Sequence, residues 1–395
     1  MTISYSGNFF KLLLRWKGSI WKAVWRELLC FLILYTIISL IYRFAPLSDE
    51  QKTKFDHLSL LFDGFTQRIP IKFLLGFYVA AVLRRWWEQF QFVAWPDDVL
   101  TYVNIIVPGQ NAHAVSTRRT IARWMCLTAA LSWRDISKSV RRRFPTIDHL
   151  KSGGLLTEKE LEIYNRTQTS TIKWSLPLFW VRSVVGMELE RIAQQNQRPI
   201  NNTIVAMFYR EMNAYRNCFR SLYCYDWVCI PLVYTQVAAL ATYGYFALCL
   251  VGRQYLQTRK GIPGNLIDLY VPYFTILEFS FYVGWFKVGQ YLMRPFEEDD
   301  DDIELNYMLD RHVQTAYCIV DEVMRMETPP IDESQSGDET TIPVIPYTRM
   351  SIRREQHPPK LHAMVQAKQK EDEEVVDTLI PPVTQKRRGS KIRQF

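Results

Sequence analysis

Four apolar segments stand out along an otherwise polar chain. The segment 227–252 carries no formal charge and is long enough to cross a membrane by itself. The segment 28–42 is also uncharged but shorter, so its long flanking side chains must help it to reach across. The other two segments contain one charged residue each: Lys72 in 69–83 and Glu278 in 269–286. The pattern predicts an all-α membrane protein with four transmembrane helices.

The long polar segment 84–226 is predicted to be helical as well. Its apolar residues recur at helical spacing in 120–144. Thr157 followed by Glu160 is typical of a capping box that opens another helix. The basic cluster at 141–143 is interpreted as a solvated face.

These segments divide the chain into six parts. They are an N-terminal segment 1–27, transmembrane helices 1 and 2 in 28–83, the helical region 84–226, transmembrane helices 3 and 4 in 227–287, a segment 288–326 with an acidic run and a further helix, and a tail 327–395. Because the tail combines Pro, Ser and blocks of charge with few apolar residues, we predict that it is disordered.

The distribution of Lys and Arg predicts the orientation. Five of these residues precede the first apolar segment, and Arg84 with Arg85 closes the second. The positive-inside rule places such residues in the cytosol. Four spans then put both termini, and the region 84–226, on the cytosolic side.

Composition agrees with a membrane protein that has large aqueous parts. The 12 Trp, 21 Tyr and 22 Phe residues cluster with aliphatic residues in a few blocks. The mean hydropathy of −0.11 averages those blocks with the charged segments and so conceals them. The seven cysteines form no CxxC pair, which favours reduced thiols. We find no signal peptide, catalytic dyad, phosphate loop or HExxH motif, and predict that the protein is not an enzyme.

An acidic run, EEDDDD, follows the last apolar segment in a chain of net charge +8. Adjacent carboxylates raise one another's pKa unless a cation lies among them, so the run is a candidate cation site. An EF-hand needs Gly at its sixth position, where a loop starting at Glu298 has Ile303. A prenyl-diphosphate motif would use Glu298, Asp299 and Asp302 for Mg²⁺, but its second acidic motif is missing. The residues alone also allow a solvated charge run.

The second apolar segment carries an aromatic stripe. Ile69, Phe73 and Phe77 are spaced by four, so they share one face of a helix. Such a stripe is usually a packing surface. It is alternatively a pore lining, because the positive edges of phenyl rings tolerate a passing anion.

Several long strings in the chain resemble the bestrophins, in collinear order from residue 1 to about 326. They are RWKGSIWK, IPIKFLLGFYV, RWW, YDWVCIPLVYTQV, FYVGWFKV and RPFEEDDDDIELNYMLDR. The resemblance implies a Ca²⁺-activated anion channel of the plasma membrane. It also implies a homopentamer around a central pore that has a transmembrane neck and a cytosolic vestibule. Chloride and other small anions, including bicarbonate, would be its permeant partners, and no nucleic acid is expected.

The resemblance also implies roles for individual residues. The neck corresponds to Ile69, Phe73 and Phe77, and the cytosolic aperture to Thr203. A Ca²⁺ clasp corresponds to Asp299 and Asp302 through their side chains, to Tyr291 and Arg294 through their backbone carbonyls, and to Glu298 as a support. Segment 288–326 would therefore contain the clasp. The competing hypothesis is a non-conducting membrane scaffold that senses Ca²⁺ or regulates other channels.

The chain departs from the family pattern in four places. Its N-terminal segment, MTISYSGNFF, is shorter than usual, which leaves one backbone ligand of the clasp unassigned. Arg294 replaces the usual Asn, Thr203 is polar where an apolar residue is common, and Glu278 is unusual within a span. These differences concern tuning rather than the class of protein.

Overall fold

The computed structural model describes residues 9–168, 170–194, 201–256 and 271–327, together with residue 329 and the strand residues 368–369 and 376–377. The chain forms two compact units, Met1–Met326 and Glu327–Phe395. In the second unit, β1 (Lys368–Gln369) pairs antiparallel with β2 (Val376–Asp377). The rest of the predicted disordered tail lies outside the described residues, apart from residues 327 and 329.

All regular secondary structure in the described residues of the first unit is helical. Its α-helices are α1 (Phe9–Leu13), α2 (Ile20–Phe44), α3 (Asp49–Thr66), α4 (Ile71–Gln91), α5 (Asp97–Ile106), α6 (Ala112–Ile136), α7 (Lys138–Arg143), α8 (Ile147–Ser152), α9 (Glu158–Arg166), α10 (Leu176–Gln194), α11 (Asn202–Trp227), α12 (Leu232–Gly252), α13 (Tyr273–Leu292) and α14 (Leu305–Tyr317). A 3₁₀ turn at Ser170–Ser175 precedes α10, while a π turn at Cys318–Glu322 and a 3₁₀ turn at Val323–Arg325 continue α14.

Two of the described helices are each long and apolar enough to cross a membrane. They are α2 and α12, with mean hydropathies of 1.9 and 1.3 over their most apolar stretches. Helices α3 and α4 meet the same criterion only as a pair, bent by 43° at the break between them. Length and hydropathy thus support two spans, or up to three, and do not confirm the predicted number of four.

Helix α3 lies between the first two apolar segments, where the sequence analysis predicted no helix. Its first turn has a capping box in which Ser48 accepts from the Gln51 N–H and the Gln51 side chain accepts from the Ser48 N–H. The helix packs against α12. A Cβ at Gly252 would lie only 2.8 Å from the backbone nitrogen of Asp63, so this close approach requires glycine.

Prolines set two helix starts that the apolar pattern misplaced. The segment 227–252 is not one helix, because α11 ends at Trp227 and α12 begins after Pro231. Likewise α4 begins at Ile71 after Pro70, so Ile69 precedes the helix that was predicted to contain it. Proline fixes φ and lacks an N–H, which suits the first turn of a helix but not its interior.

The helices of the first unit pack around two separate hydrophobic cores. In the membrane part, Phe31, Phe246 and Phe279 stack with ring centroids 4.6 to 6.0 Å apart. In the other core, α6 is buried on all sides from Ile121 through Trp133 except at Arg123, as expected for a central helix.

The capping box predicted at Thr157 and Glu160 is confirmed. The Thr157 hydroxyl accepts from the Glu160 N–H, and a Glu160 carboxylate oxygen accepts from the Thr157 N–H at 2.8 Å. The same carboxylate binds both terminal nitrogens of Arg123, at 2.6 and 2.7 Å, and the Trp124 indole N–H at 2.7 Å. Burial alone would raise the pKa of Glu160, but these donors outweigh it and lower the pKa to about 2.

Candidate functional site

The acidic loop, defined here as residues 297–302, lies between α13 and α14 and faces the start of α2. A cavity of about 160 Å³ separates these elements. Its polar lining includes Gly18, Lys22, Tyr291, Asp299, Asp300 and Asp302. The fold therefore brings residues from both ends of the membrane part to one site. The predicted clasp residues Asp299, Asp302 and Tyr291 all line this cavity, which we call the clasp cavity.

Local hydrogen bonds shape the acidic loop. The Ile303 N–H donates to the Pro295 carbonyl at 2.8 Å and closes the loop at its base. Ile303 and Phe296 are buried in the core that contains α6. Within the loop, the Asp302 N–H donates to the Asp299 carbonyl at 3.2 Å, and the Asp299 N–H donates to the Asp302 carboxylate at 2.7 Å. This reciprocal turn holds Asp299 and Asp302 next to each other.

Cations on other elements neutralise the outer carboxylates of the loop. Glu297 pairs with Lys138 at 3.0 Å and with Arg294 at 3.1 Å. Asp300 pairs with Lys22 at 2.5 Å and accepts from the Gly18 N–H at 3.1 Å. These partners come from α7, from the segment after α13 and from the start of α2. The loop is thus not a solvated charge run.

The basic cluster at 141–143, on α7, is exposed as a solvated face would be, and its side chains also have protein partners. Arg142 pairs with Glu298 at 2.6 Å, and Arg143 pairs with Asp310 on α14 at 2.7 Å. Arg141 donates instead to the carbonyls of Arg134 and Asp135. The cluster therefore docks against the acidic loop and α14, and Glu298 is held on the α7 side.

Asp302 differs from the carboxylates beside it. Only 7% of the residue is exposed. Burial raises the pKa of Asp302 to about 7, and the neighbouring acidic side chains add to this, whereas the Asp299 N–H opposes it. By contrast, the Lys22 ammonium lowers the pKa of Asp300. Within the described part of the chain, neither Asp299 nor Asp302 forms an ion pair, so a bound cation would stabilise both in their charged form.

The donor set at this cavity fits a hard cation such as Ca²⁺. Two carboxylates and nearby backbone carbonyls are the ligands that Ca²⁺ accepts in irregular sites. Among the described residues, no three His, Cys, Asp or Glu side chains are grouped to hold a metal ion. The predicted clasp needs only two carboxylates. The N-terminal residues 1–8, from which a further ligand was expected, lie outside the described residues.

Arg294 does not aim its charge into the clasp cavity. Its guanidinium pairs with Glu297 and lines a different cavity, on the other side of the acidic loop. The replacement of Asn by Arg therefore places no cationic group among Asp299, Asp302 and Tyr291. A ligand role for Arg294 would rest on its backbone carbonyl alone.

The aromatic stripe on α4 is uncovered in the single chain. Phe73 and Phe77 are 63% and 60% exposed, and their ring centroids lie 4.6 Å apart. The opposite face of α4 is buried through Leu75, Tyr78 and Val82. Ile69 lies just before the helix and packs partly against the membrane core. Helix α4 thus leaves two phenyl rings largely exposed.

Thr203, the predicted aperture residue, lies at the beginning of α11. It is exposed in the first turn of α11, where the Asn201 side chain accepts from the Thr203 N–H at 3.0 Å. Trp227 ends the same helix, about 36 Å away at 1.5 Å per residue. Thr203 therefore marks the end of α11 that is remote from the start of α12.

Glu278, the unusual charge within the last apolar segment, has partners that spacing did not reveal. The Tyr245 hydroxyl donates to it at 2.6 Å, and Arg253 lies 3.9 Å from its other oxygen. Arg253 also pairs with Asp63 at 3.2 Å. These partners come from α3, from α12 and from the residue after α12. A charge inside a span is tolerated when it is paired in this way.

Comparison with known proteins gives a consistent result. The family model described as "Bestrophin, RFP-TM, chloride channel" matches residues 1–322. Bestrophin homolog 13 of Caenorhabditis elegans is 42% identical over 92% of this chain and 93% of its own length. Human Bestrophin-3 is 41% identical over 88% of this chain and 52% of its own length. A bacterial bestrophin homolog from Klebsiella pneumoniae, solved as a variant with one substitution, superposes with a TM-score of 0.53 at 16% identity, over 74% of this chain and 97% of that one.

Proposed function

Since this chain belongs to the bestrophin family of chloride channels, we propose that it forms an anion channel opened by cytosolic Ca²⁺. The observation that carries the proposal is Asp302. It is a buried carboxylate with no cationic partner in the described chain, beside Asp299 in a cavity of about 160 Å³. The cost of ionising a buried acid is removed when a cation binds it.

Five residues would hold Ca²⁺ or support its ligands. Asp299 and Asp302 would bind through their carboxylates, and Tyr291 and Arg294 through their backbone carbonyls. Glu298 would support them from the α7 side, where it pairs with Arg142. When bound, Ca²⁺ would supply the positive charge that the inner carboxylates of the loop lack.

The elements that meet at the loop suggest how the signal reaches the pore. The acidic loop closely follows α13 and is tied to the start of α2 through Lys22 and Gly18. Helix α4, which carries the exposed phenyl rings, packs against α13. Ca²⁺ opens the channel only if it binds the arrangement with an open neck more tightly than the closed one.

The pore would form around a symmetry axis of a homopentamer. Phe73 and Phe77 from each subunit, with Ile69, would line the neck, and Thr203 would line the cytosolic aperture. Ring edges carry partial positive charge and suit chloride or bicarbonate without a fixed cation that would trap them. The exposed rings on α4 support this assignment.

The experiment is a Ca²⁺ titration of chloride current in inside-out patches. Wild type should be activated by Ca²⁺, and Asp302→Asn should require about a hundredfold more Ca²⁺ because it removes a charged ligand. Asp310→Asn is the matched control, since Asp310 pairs with Arg143 outside the cavity. An unchanged Ca²⁺ dependence in Asp302→Asn would refute the clasp. Purified protein that passes no anion current in bilayers at any Ca²⁺ level would favour the non-conducting scaffold.

Location and topology belong to the same proposal. We place the channel in the plasma membrane with both termini cytosolic, because Lys and Arg concentrate before the first span and after the second. Epitope tags at either terminus should be reached by antibody only after the cells are permeabilised. Labelling of intact cells would overturn the orientation.

A further inference from the structure

A second cavity lies on the other side of the acidic loop, where α12 begins. Its volume is about 560 Å³. It is lined by the end of α4, by α7, by the end of α11 and by the start of α12, together with residues 293–297. Because α12 is a candidate span, the cavity lies at the level where the chain enters the membrane. We call it the boundary cavity.

Four cationic side chains line the boundary cavity: Arg85, Lys138, Arg141 and Arg294. Two of them, Lys138 and Arg294, share the single carboxylate of Glu297. The remaining two, Arg85 and Arg141, form no ion pair with any described residue. A guanidinium without a carboxylate is free to bind phosphate, to which its planar fork is matched.

The Arg85 side chain is held in place by Tyr225, but not all of its hydrogen-bond donors have an acceptor among the described residues. One terminal nitrogen donates to the Tyr225 carbonyl, and the guanidinium lies over the Tyr225 ring at 4.9 Å. Its Nε is buried and has no hydrogen-bond partner among the described residues. A buried donor without an acceptor costs free energy, and an anionic oxygen in the cavity would remove that cost. Arg141 is similarly held by two carbonyls, which leave its charge uncompensated.

The boundary cavity also offers negative charge. Asp226 lines it, is exposed, and forms no ion pair with the described part of the chain. Asp135 is the other carboxylate besides Glu297, and it accepts from the Tyr223 hydroxyl at 2.8 Å. A ligand carrying both a phosphate and an ammonium group would therefore find a partner for each of its charges.

The surface beside the cavity is apolar. Trp227, Val228, Leu232 and Val233 are 68 to 70% exposed at the junction of α11 and α12. Tryptophan is enriched at the level of lipid headgroups, and exposed aliphatic residues beyond it suit acyl chains. We propose that the boundary cavity binds the headgroup of an amine-bearing zwitterionic phospholipid, with its phosphate at Arg85 and Arg141 and its ammonium at Asp226.

This inference is independent of ion conduction, yet it bears on the acidic loop. Arg294 and Glu297 line the boundary cavity, while Asp299 and Asp302 line the clasp cavity a few residues later. A lipid that binds one arrangement of the loop better than another must alter Ca²⁺ affinity, and Ca²⁺ must alter lipid affinity by the same factor.

The test measures binding calorimetrically with the purified full-length protein in a neutral detergent. The probes are dioctanoyl phosphatidylethanolamine, dioctanoyl phosphatidylglycerol, dioctanoylglycerol and soluble O-phosphoethanolamine. Wild type should bind phosphatidylethanolamine and not dioctanoylglycerol. Arg141→Gln should weaken that binding about tenfold through loss of a charge-assisted contact. Arg143→Gln is the control and should leave the affinity unchanged, because Arg143 pairs with Asp310 outside the cavity.

Headgroup choice gives a second, sharper readout. Asp226→Asn should weaken phosphatidylethanolamine binding while leaving phosphatidylglycerol binding unchanged or stronger, because only the first probe carries an ammonium group. Equal affinity of O-phosphoethanolamine would support the same chemistry with a soluble source instead of a lipid. The proposal is overturned if dioctanoylglycerol binds with the same affinity as phosphatidylethanolamine. It is also overturned if Arg141→Gln and Asp226→Asn both bind phosphatidylethanolamine with wild-type affinity.

Discussion

Glu160 and Asp302 are both carboxylates largely shielded from solvent, and they are held in opposite ways. Glu160, on α9, has Arg123, the Trp124 indole and the Thr157 N–H as donors, so its pKa falls to about 2. Asp302 lies in the acidic loop, where burial and the acidic neighbours raise its pKa to about 7 against the effect of one backbone donor. The first carboxylate stabilises the fold as it stands. The second is stabilised only when a cation binds, which is typical of a ligand site.

Glu160→Gln should be the more damaging of the two neutralisations. It would leave Arg123, only 14% exposed, without its carboxylate, and we expect a loss of about 3 kcal/mol in stability. The measurement is the thermal midpoint of the purified channel by size-exclusion retention. Lys151→Gln, which removes an exposed pair with Glu158, is the control and should shift it little. Equal midpoints for both variants would contradict the assignment.

The stabilisation contributed by the pair of Glu160 and Arg123 should decrease as the pH falls. The folded pKa of Glu160 lies below its unfolded value, so its stabilisation is present above pH about 4.5 and is lost as pH falls towards about 2. The gap in stability between wild type and Glu160→Gln should narrow over that window. Burial lowers the pKa of His312 to about 4, so acidification also destabilises the protein through this residue. That loss is the same in wild type and in Glu160→Gln, so it does not change the gap between them. A gap that stayed constant would count against the pair.

Asp302→Asn should have the opposite effect on stability. In a Ca²⁺ chelator at pH 8 the substitution removes a buried charge while the amide oxygen can still accept from the Asp299 N–H. We expect a gain of about 1 to 2 kcal/mol, read as a higher thermal midpoint than wild type. Adding Ca²⁺ should raise the midpoint of wild type at concentrations about a hundredfold lower than those that raise the midpoint of the variant. A lower midpoint in the chelator would show that Asp302 is structural.

The smallest effect is expected at the exposed pair between α7 and the acidic loop. Arg142 is 74% exposed, so Arg142→Glu should cost only about 0.5 kcal/mol in stability. The same change should nevertheless shift the Ca²⁺ concentration for half-activation, because like charges would push Glu298 off α7. Adding Glu298→Arg to Arg142→Glu restores an opposite pair and should bring that concentration back towards wild type. Without such recovery, the pair has no role in positioning the loop.

Much of this arrangement could be predicted locally. The capping box at Thr157 and Glu160, the apolar segments in α2, α4, α12 and α13, and the acidic loop after the last of them all follow from short-range patterns. Helix starts at Pro70 and Pro231 were missed because apolar periodicity was followed across them. Helix α3 was missed because its polar composition resembles that of a loop, although its Ser48 cap was present.

Long-range charge pairing could not be predicted. Lys138 and Arg142 are separated from Glu297 and Glu298 by more than 150 positions, and nothing in the spacing joins them. The same holds for Glu278, whose partner Arg253 belongs to another helix end. A sequence shows that charges exist but not which of them meet, since meeting depends on how distant helices pack.

The residue pattern alone was enough to establish a helical membrane protein of the bestrophin family in which six adjacent carboxylates follow the last apolar segment. The differences among those carboxylates arise only in the folded chain. Cations on α2 and α7 neutralise Asp300, Glu297 and Glu298, while the turn buries Asp302 away from them. Ionisation depends on burial and on the nearest charge, and both are set by which distant helices pack together.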